Sequence, residues 1–154
     1  YSADGRQVHR GVEFSFTGRL SERLTLLGGF STVDAERTRS DNAALVGKTP
    51  QAVPDWLARL YGEYALPAVP GLVLSAGLSH TGAAWADDLN TKSYPGVTVG
   101  DLGLRYVSSL AGHKTTYRLT ISNVTDKSYW TSKGGSMLYL GSPRTLAASA
   151  SFDF

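Results

Sequence analysis

A period-two alternation of apolar and polar side chains, held over segments far longer than an ordinary globular strand, constrains this chain more than any other feature. Residues 12–17 read Val-Glu-Phe-Ser-Phe-Thr, with Val12, Phe14 and Phe16 on one face and Glu13, Ser15 and Thr17 on the other. In 52–66 one face holds Ala52, Trp56, Ala58, Leu60, Tyr64 and Leu66, and the other holds Val53, Asp55, Arg59, Tyr61 and Glu63. Leu72, Leu74, Ala76 and Leu78 alternate with Val73, Ser75, Gly77 and Ser79. The same pattern sets Leu102, Leu104 and Tyr106 against Asp101, Gly103 and Arg105, and Tyr117, Leu119 and Ile121 against Thr116, Arg118, Thr120 and Ser122. The last stretch places Leu146, Ala148, Ala150, Phe152 and Phe154 opposite Thr145, Ala147, Ser149, Ser151 and Asp153. Residues 23–36 are less regular, with Leu24, Leu26, Phe30 and Thr32 able to share a face. No segment carries a helical stripe.

These patterns predict about seven strands, at 6–19, 23–36, 52–66, 71–86, 95–109, 114–124 and 143–154. Most run about 12–16 residues, where a globular strand runs about 5–6. The connections alternate in length. Those near 20–22, 67–70 and 110–113 are tight, whereas 37–51, 87–94 and 125–142 are long and rich in Asp, Asn, Lys, Ser, Gly and Trp. An antiparallel meander with short turns on one rim and long loops on the other describes an all-β outer-membrane barrel. Crossing hydrocarbon takes about 9–11 tilted residues per strand, and these strands are long enough.

The second face carries Ser, Thr, Gly and charges of both signs (Glu13, Asp55, Arg59, Glu63, Asp101, Arg105 and Arg118). Ser and Thr together make 31 of 154 residues, and the five lysines fall in loops or at strand ends, so this face suits a hydrated lumen better than the Lys- and Glu-rich exterior of a soluble sandwich. Two rivals remain: a soluble β-sandwich binding module, with the apolar face buried between two sheets, and a small self-contained outer-membrane barrel with an adhesion or structural role. No apolar run approaches the roughly 18 residues of a transmembrane helix. A net charge of +2 does not point to nucleic acid, and the lack of cysteine excludes disulfide scaffolds, thiolate metal sites and Cys nucleophiles. The chain opens at Tyr1 with no leader pattern, and we expect it to be part of a longer protein.

Several stretches carry a family resemblance. Residues 119–130, Leu-Thr-Ile-Ser-Asn-Val-Thr-Asp-Lys-Ser-Tyr-Trp, resemble the Asn-Leu-Phe-Asp-Lys-x-Tyr-Trp segment near the end of TonB-dependent outer-membrane receptors. Leu138-Tyr139-Leu140-Gly141-Ser142-Pro143-Arg144-Thr145 is similar to the Gly-x-Pro-Arg-Thr opening of the last strand in the siderophore-receptor branch. Val46-Gly47-Lys48-Thr49-Pro50 with Val53-Pro54, and Asp87-Asp88-Leu89-Asn90-Thr91 with Tyr94-Pro95, are similar to further stretches of that family. Val124-Thr125 departs from the usual Leu-Phe without disturbing the alternation. The resemblance implies that residues 1–154 form the C-terminal portion of a 22-stranded transmembrane barrel, with the plug and earlier strands outside this sequence. It also implies an outer-membrane location and uptake of a ferric siderophore powered by the TonB complex through the plug. A C-terminal aromatic signal, Phe152 and Phe154, would be read by the barrel-assembly machinery.

Catalytic chemistry is sparse. His9, His80 and His113 are isolated, no Ser sits in Gly-x-Ser-x-Gly, and Gly28-Gly29 and Gly134-Gly135 lack the strand-to-helix setting of a phosphate cradle. Neither an enzyme nor a cofactor is expected. Asp87-Asp88 reads as a solvated loop pair, and Asp55, Arg59 and Glu63 as a structural cross-strand charge ladder. Trp56, Tyr64, Tyr129, Trp130, Phe152 and Phe154 read as interfacial girdles that meet outer-membrane lipid. Arg37, Arg39, Lys48, Trp85, Tyr94, Trp130 and Lys133 are the candidate ligand contacts, because cations and aromatics suit an anionic catechol- or hydroxamate-bearing iron chelate.

Overall fold

The alternation becomes a single sheet in the computed structural model, which describes residues 5–110, 112–132, 134–135 and 137–153. In chain order the strands are β1 (Arg6–Arg19), β2 (Leu24–Arg39), β3 (Trp56–Ala65), β4 (Leu72–Thr81), β5 (Ala84–Trp85), β6 (Ser93–Tyr94), β7 (Val97–Leu110), β8 (His113–Ser122), β9 (Trp130–Ser132), β10 (Leu138–Leu140) and β11 (Thr145–Asp153). Seven of them pair antiparallel in the order β1-β2-β3-β4-β7-β8-β11, so each long strand neighbours the next long strand. The short pairs β5–β6 and β9–β10 are ribbons inside long loops that strand patterning did not reveal. Three expected bounds also move. The strand expected at 23–36 runs on to Arg39, so Arg37 and Arg39 lie on β2 rather than in the loop expected at 37–51. The strand expected from residue 52 begins at Trp56, because Ala52 adopts φ 61° and leaves extended geometry. The strand expected at 71–86 ends at Thr81.

Register carries the alternation across the sheet. Phe14 pairs with Phe30, Phe30 with Ala58, Leu60 with Leu78, Ala76 with Leu102, Leu104 with Leu119, and Leu119 with Ala148. Paired residues point to the same side, so these rows form one continuous apolar face. Glu13 opposite Ser31, Arg59 opposite Ser79, and Arg118 opposite Ser149 mark the polar face. A second layer would cover the apolar face, yet Phe14 is 60%, Leu78 53% and Leu146 66% exposed. The buried apolar residues are instead Ala35, Ala84, Ala86, Tyr94 and Val97, which lie toward the long-loop end. A sandwich interior is therefore not what this sheet builds.

The aromatic expectation holds in part. Trp56 and Tyr64 end the β3 row on the apolar face, and Phe152 stands on the same face near the end of β11. Tyr106 and Tyr117, which the sequence reading did not assign to a girdle, complete the band at the short-turn end, their rings stacked at 6.5 Å. At the other end the Trp56 ring stacks on His80 at 3.8 Å and lies 6.0 Å from Phe30. Tyr129 and Trp130 belong to a loop instead, and Phe154 lies outside the described residues. The three-membered charge ladder does not form. Asp55 precedes β3 and accepts from the Trp56 N–H, while Glu63 reaches over β4 to Arg105 at 3.7 Å and accepts from the Tyr61 hydroxyl at 3.0 Å.

If the apolar face meets hydrocarbon, Leu78→Arg in the intact barrel should destabilise it by about 2–4 kcal/mol, the cost of a cation near the bilayer midplane. Ser79→Arg, one residue on and facing the other way, should cost far less. Denaturant titration of the protein folded into lipid vesicles measures both, and equal losses would contradict the assignment of faces.

Candidate functional site at the long-loop rim

Alternate connections of a meander emerge on the same rim. Residues 20–23, 66–71 and 111–112 close one end, and the loops 40–55, 82–96 and 123–144 gather at the other. None of the three is a free strand of chain. In the first loop Asn42 caps a single 3-10 turn, Ala43–Leu45, by accepting from the Ala44 N–H at 3.1 Å. The second loop folds back on itself through β5–β6 and is held by Asp87. The Asp87 carboxylate accepts from the Lys92 N–H at 2.7 Å, the Thr91 N–H at 3.0 Å and the Thr91 hydroxyl at 2.9 Å. Partial desolvation pushes that carboxyl up, but the donors of Lys92, Thr91 and Leu89 outweigh it and hold Asp87 below the ordinary carboxylate value.

Side chains then join the first two loops. Asn90, at φ 57°, turns its amide onto Thr49, accepting from the Thr49 N–H and donating to the Thr49 carbonyl, each at 2.8 Å. Arg37, at the top of β2, donates to Asp88 at 3.0 Å, its side chain only 14% exposed. The Ala52 N–H donates to the Trp85 carbonyl at 2.9 Å. Tyr94 packs with Ala84 and Ala86 into a small core beneath the second loop. Burial pushes its phenol up, and a hydrogen bond with the Ser132 backbone, in the third loop, opposes that shift.

The third loop is built around Asn123, which is 2% exposed. Its N–H donates to Asp101 on β7 at 2.8 Å, its amide oxygen accepts from the Lys127 N–H at 2.9 Å, and its amide nitrogen donates to the carbonyls of Lys127 and Ser142 at 2.9 and 3.0 Å. Asp126 accepts from the Arg144 N–H at 3.0 Å and faces the Arg144 guanidinium at 3.6 Å. The Tyr129 ring lies over Gly141, where any Cβ would collide with it, and the Gly141 N–H donates to the Tyr129 carbonyl at 2.8 Å. Residues from the two C-terminal stretches that carried the family resemblance thus bond to one another across this loop.

The structure distributes the sequence candidates unevenly. Arg37 and Tyr94 are engaged in the loop framework. Arg39 is exposed at the end of β2 opposite Arg6, Trp130 is 47% exposed, and Lys48 is half-buried. Trp85 lines a cavity of about 340 Å³ with Val33, Ala35, Thr49, Val53 and Ser93, between the first two loops. Lys133 lies outside the described residues. The sequence reading missed Asn90, Asp88 and Asn123. The available signal was Asn in turn-forming surroundings, where it tolerates the left-handed region and bonds to nearby backbone. Among the described residues no group of three or more His, Asp or Glu side chains converges as a metal site requires.

A family model described as TonB dependent receptor-like, beta-barrel, matches residues 1–124. The chain belongs to this family. The ferrichrome receptor FcuA of Yersinia enterocolitica is 32% identical over 156 residues, spanning all of this chain and 21% of the receptor. The ferrichrome outer membrane transporter and phage receptor of Escherichia coli K12 is 30% identical over 159 residues. Among solved structures, BauA, the ferric preacinetobactin receptor of Acinetobacter baumannii, superposes with a TM-score of 0.91 at 38% identity, over 99% of this chain and 23% of that one. The ferric citrate transporter FecA, at 18% identity and a TM-score of 0.84, supports the fold alone. The chain spans about a fifth of the length of the curated relatives it matches. It forms part of a TonB-dependent receptor β-barrel, a family of the Gram-negative outer membrane whose members are not enzymes. The apolar face is accordingly the lipid face, and the polar face lines the lumen.

Two outcomes follow at the rim. Because Asp87 has its pKa lowered by folding, its contribution is complete above the ordinary carboxylate range and is lost only as pH falls through the depressed value. NMR titration should place the Asp87 midpoint below 3.8, with amide protection of Thr91 and Lys92 falling in step, and a midpoint at or above 3.8 would contradict this geometry. Asn90→Ala removes both Thr49 bonds and should loosen the first loop by about 1–3 kcal/mol, read as faster amide exchange near Thr49.

Proposed function

We propose that this segment supplies barrel wall, extracellular loops and the C-terminal assembly signal of a receptor that takes up a ferric siderophore in a TonB-dependent manner. The observation that carries the reading is similarity along the whole chain to receptors named for ferrichrome and ferric preacinetobactin, at 32% and 38% identity. A luminal plug contributed by the rest of the protein would meet TonB, and this portion alone would not transport. On this reading Arg39, Lys48, Trp85, Trp130 and Lys133 contact the chelate, while Arg37 and Tyr94 set the positions of the loops that present them. Two tryptophans at one rim suit flat chelating groups, and the cations suit acidic oxygens. Phe152, outward on the last strand, together with Phe154 would be the feature the barrel-assembly machinery reads.

Uptake of radio-iron by cells that express the intact receptor and lack their own siderophore receptors tests this reading. A panel of hydroxamate, catecholate and carboxylate ferric chelates should include one that enters only when TonB is functional. For that chelate, Trp85→Ala and Trp130→Ala should each weaken binding by about 1 kcal/mol or more, roughly fivefold. Uptake of no chelate in the panel, or uptake indifferent to TonB, would overturn the reading.

A further inference from the structure

The last hairpin, like those joining β2 to β3 and β4 to β7, lacks the tight turn that sets register between β1 and β2, β3 and β4, and β7 and β8. Between β7 and β8 Leu110 pairs with His113, with Gly112 at φ 83°, and a connection that short permits one pairing. Between β8 and β11 the chain runs through residues 123–144, and a loop of that length places almost no constraint on which residues pair. Nor does β11 specify its own register strongly. Its outward row is Leu146, Ala148, Ala150 and Phe152, its inward row Thr145, Ala147, Ser149, Ser151 and Asp153, so two of four outward and four of five inward positions are Ala, Ser or Thr. A one-residue slip would exchange the two rows, turning Phe152 inward and Asp153 toward lipid. The Lys114–Asp153 pair at 3.4 Å resists this weakly, both side chains being about two-thirds exposed.

We propose that the Asn123–Asp126 unit substitutes for the missing tight turn and sets the register of the C-terminal strand, and with it the outward placement of Leu146 and Phe152. Asn123 stands one residue beyond the first β8–β11 rung, Ser122 opposite Thr145. Its amide nitrogen bridges both ends of the loop, to the carbonyls of Lys127 and Ser142. Its N–H is anchored on Asp101 of β7, a strand paired on both sides and joined to β8 by a tight turn. Asp126 holds the Arg144 N–H next to the same rung. A shift of β11 by one residue moves Ser142 and Arg144 by about 3.4 Å and breaks these bonds together. Asn123 is fully partnered and 2% exposed, so the bonds form away from competing water. Asn123 is thus a positioning residue. Its role concerns the fold of the wall and is independent of which chelate the receptor takes.

Paired cysteines in the intact receptor read the register directly. Leu119→Cys with Ala148→Cys reports the native pairing, and Leu119→Cys with Ser149→Cys or with Ala147→Cys reports a one-residue slip in either direction. Crosslinking is scored only on the fraction that stays folded on unheated gels. In an otherwise unchanged protein the native pair should crosslink almost completely. Asn123→Gly keeps the φ 51° backbone accessible and removes the side chain, so it should lower the ratio of native-pair to slipped-pair crosslinking by roughly fivefold or more, the factor lost with one net hydrogen bond. Asn123→Asp, which is isosteric, tolerates the same backbone and loses both amide donations, should move the same way and serves if Asn123→Gly does not fold. Replacing residues 130–140 with a short Gly-Ser linker leaves the unit in place and should keep native pairing. Unchanged native pairing in whichever Asn123 variant folds, or loss of native pairing on loop replacement alone, would overturn the proposal.

Discussion

Backbone polar groups in hydrocarbon have no water to bond, and each unpaired one costs several kcal/mol, so a strand that crosses a membrane must find its partners within the sheet. That constraint explains why the seven long strands pair as a meander, with a register shift in β1–β2 only at Arg6/Gln7, near the loop rim, and why the side chains can be as undemanding as Ala and Ser on β11. In a soluble protein the apolar face would have to create a core. Here it has only to match acyl chains, so Phe14, Leu78 and Leu146 remain exposed with nothing packed over them from this chain. The polar face answers to a different solvent. Its Ser, Thr and Gly positions leave room for water, and its charges reach across strands, as Glu63 does to Arg105.

Where the strands leave the bilayer the rule relaxes, and side chains take over from the ladder. Asp87 closes one turn on its donors, Asn90 docks the second loop onto the first, and Asn123 gathers both ends of the third. Asn90, Asn123 and Asp126 share a left-handed backbone, the conformation from which a short polar side chain can reach neighbouring peptide groups. The rim is therefore pre-organised, and any ligand it meets finds its loops already ordered.

Sequence alone revealed those parts that depend on local periodicity. The apolar and polar rows of β3, β4, β7, β8 and β11 were legible because each strand sees only two environments, and the tight turns were legible because the rows stop there. The loops were not legible in the same way. Asp88 looked like a solvated acid, yet its partner Arg37 is 51 residues away, a pairing no local pattern can reveal. Tyr94 looked like a ligand contact by composition, and its burial against Ala84 and Ala86 follows from a fold-back that two-residue strands do not announce. The ladder expected from Asp55, Arg59 and Glu63 failed for a related reason, since spacing along one strand does not say that a carboxylate will reach over its neighbour to the next strand. The family motif was visible as letters, and only the structure shows that Asn123, Asp126, Tyr129, Gly141 and Arg144 are parts of one bonded arrangement.

The central claim is that alternate residues of each long strand face acyl chains and water. Spin labels placed singly at residues 57 to 63 of β3, in the intact receptor within lipid bilayers, test it most directly. Collision with oxygen, which concentrates in hydrocarbon, should peak at Ala58, Leu60 and Gly62, and collision with a water-soluble nickel chelate at Leu57, Arg59, Tyr61 and Glu63. A flat profile along the strand, or one with the two quenchers exchanged, would contradict the account.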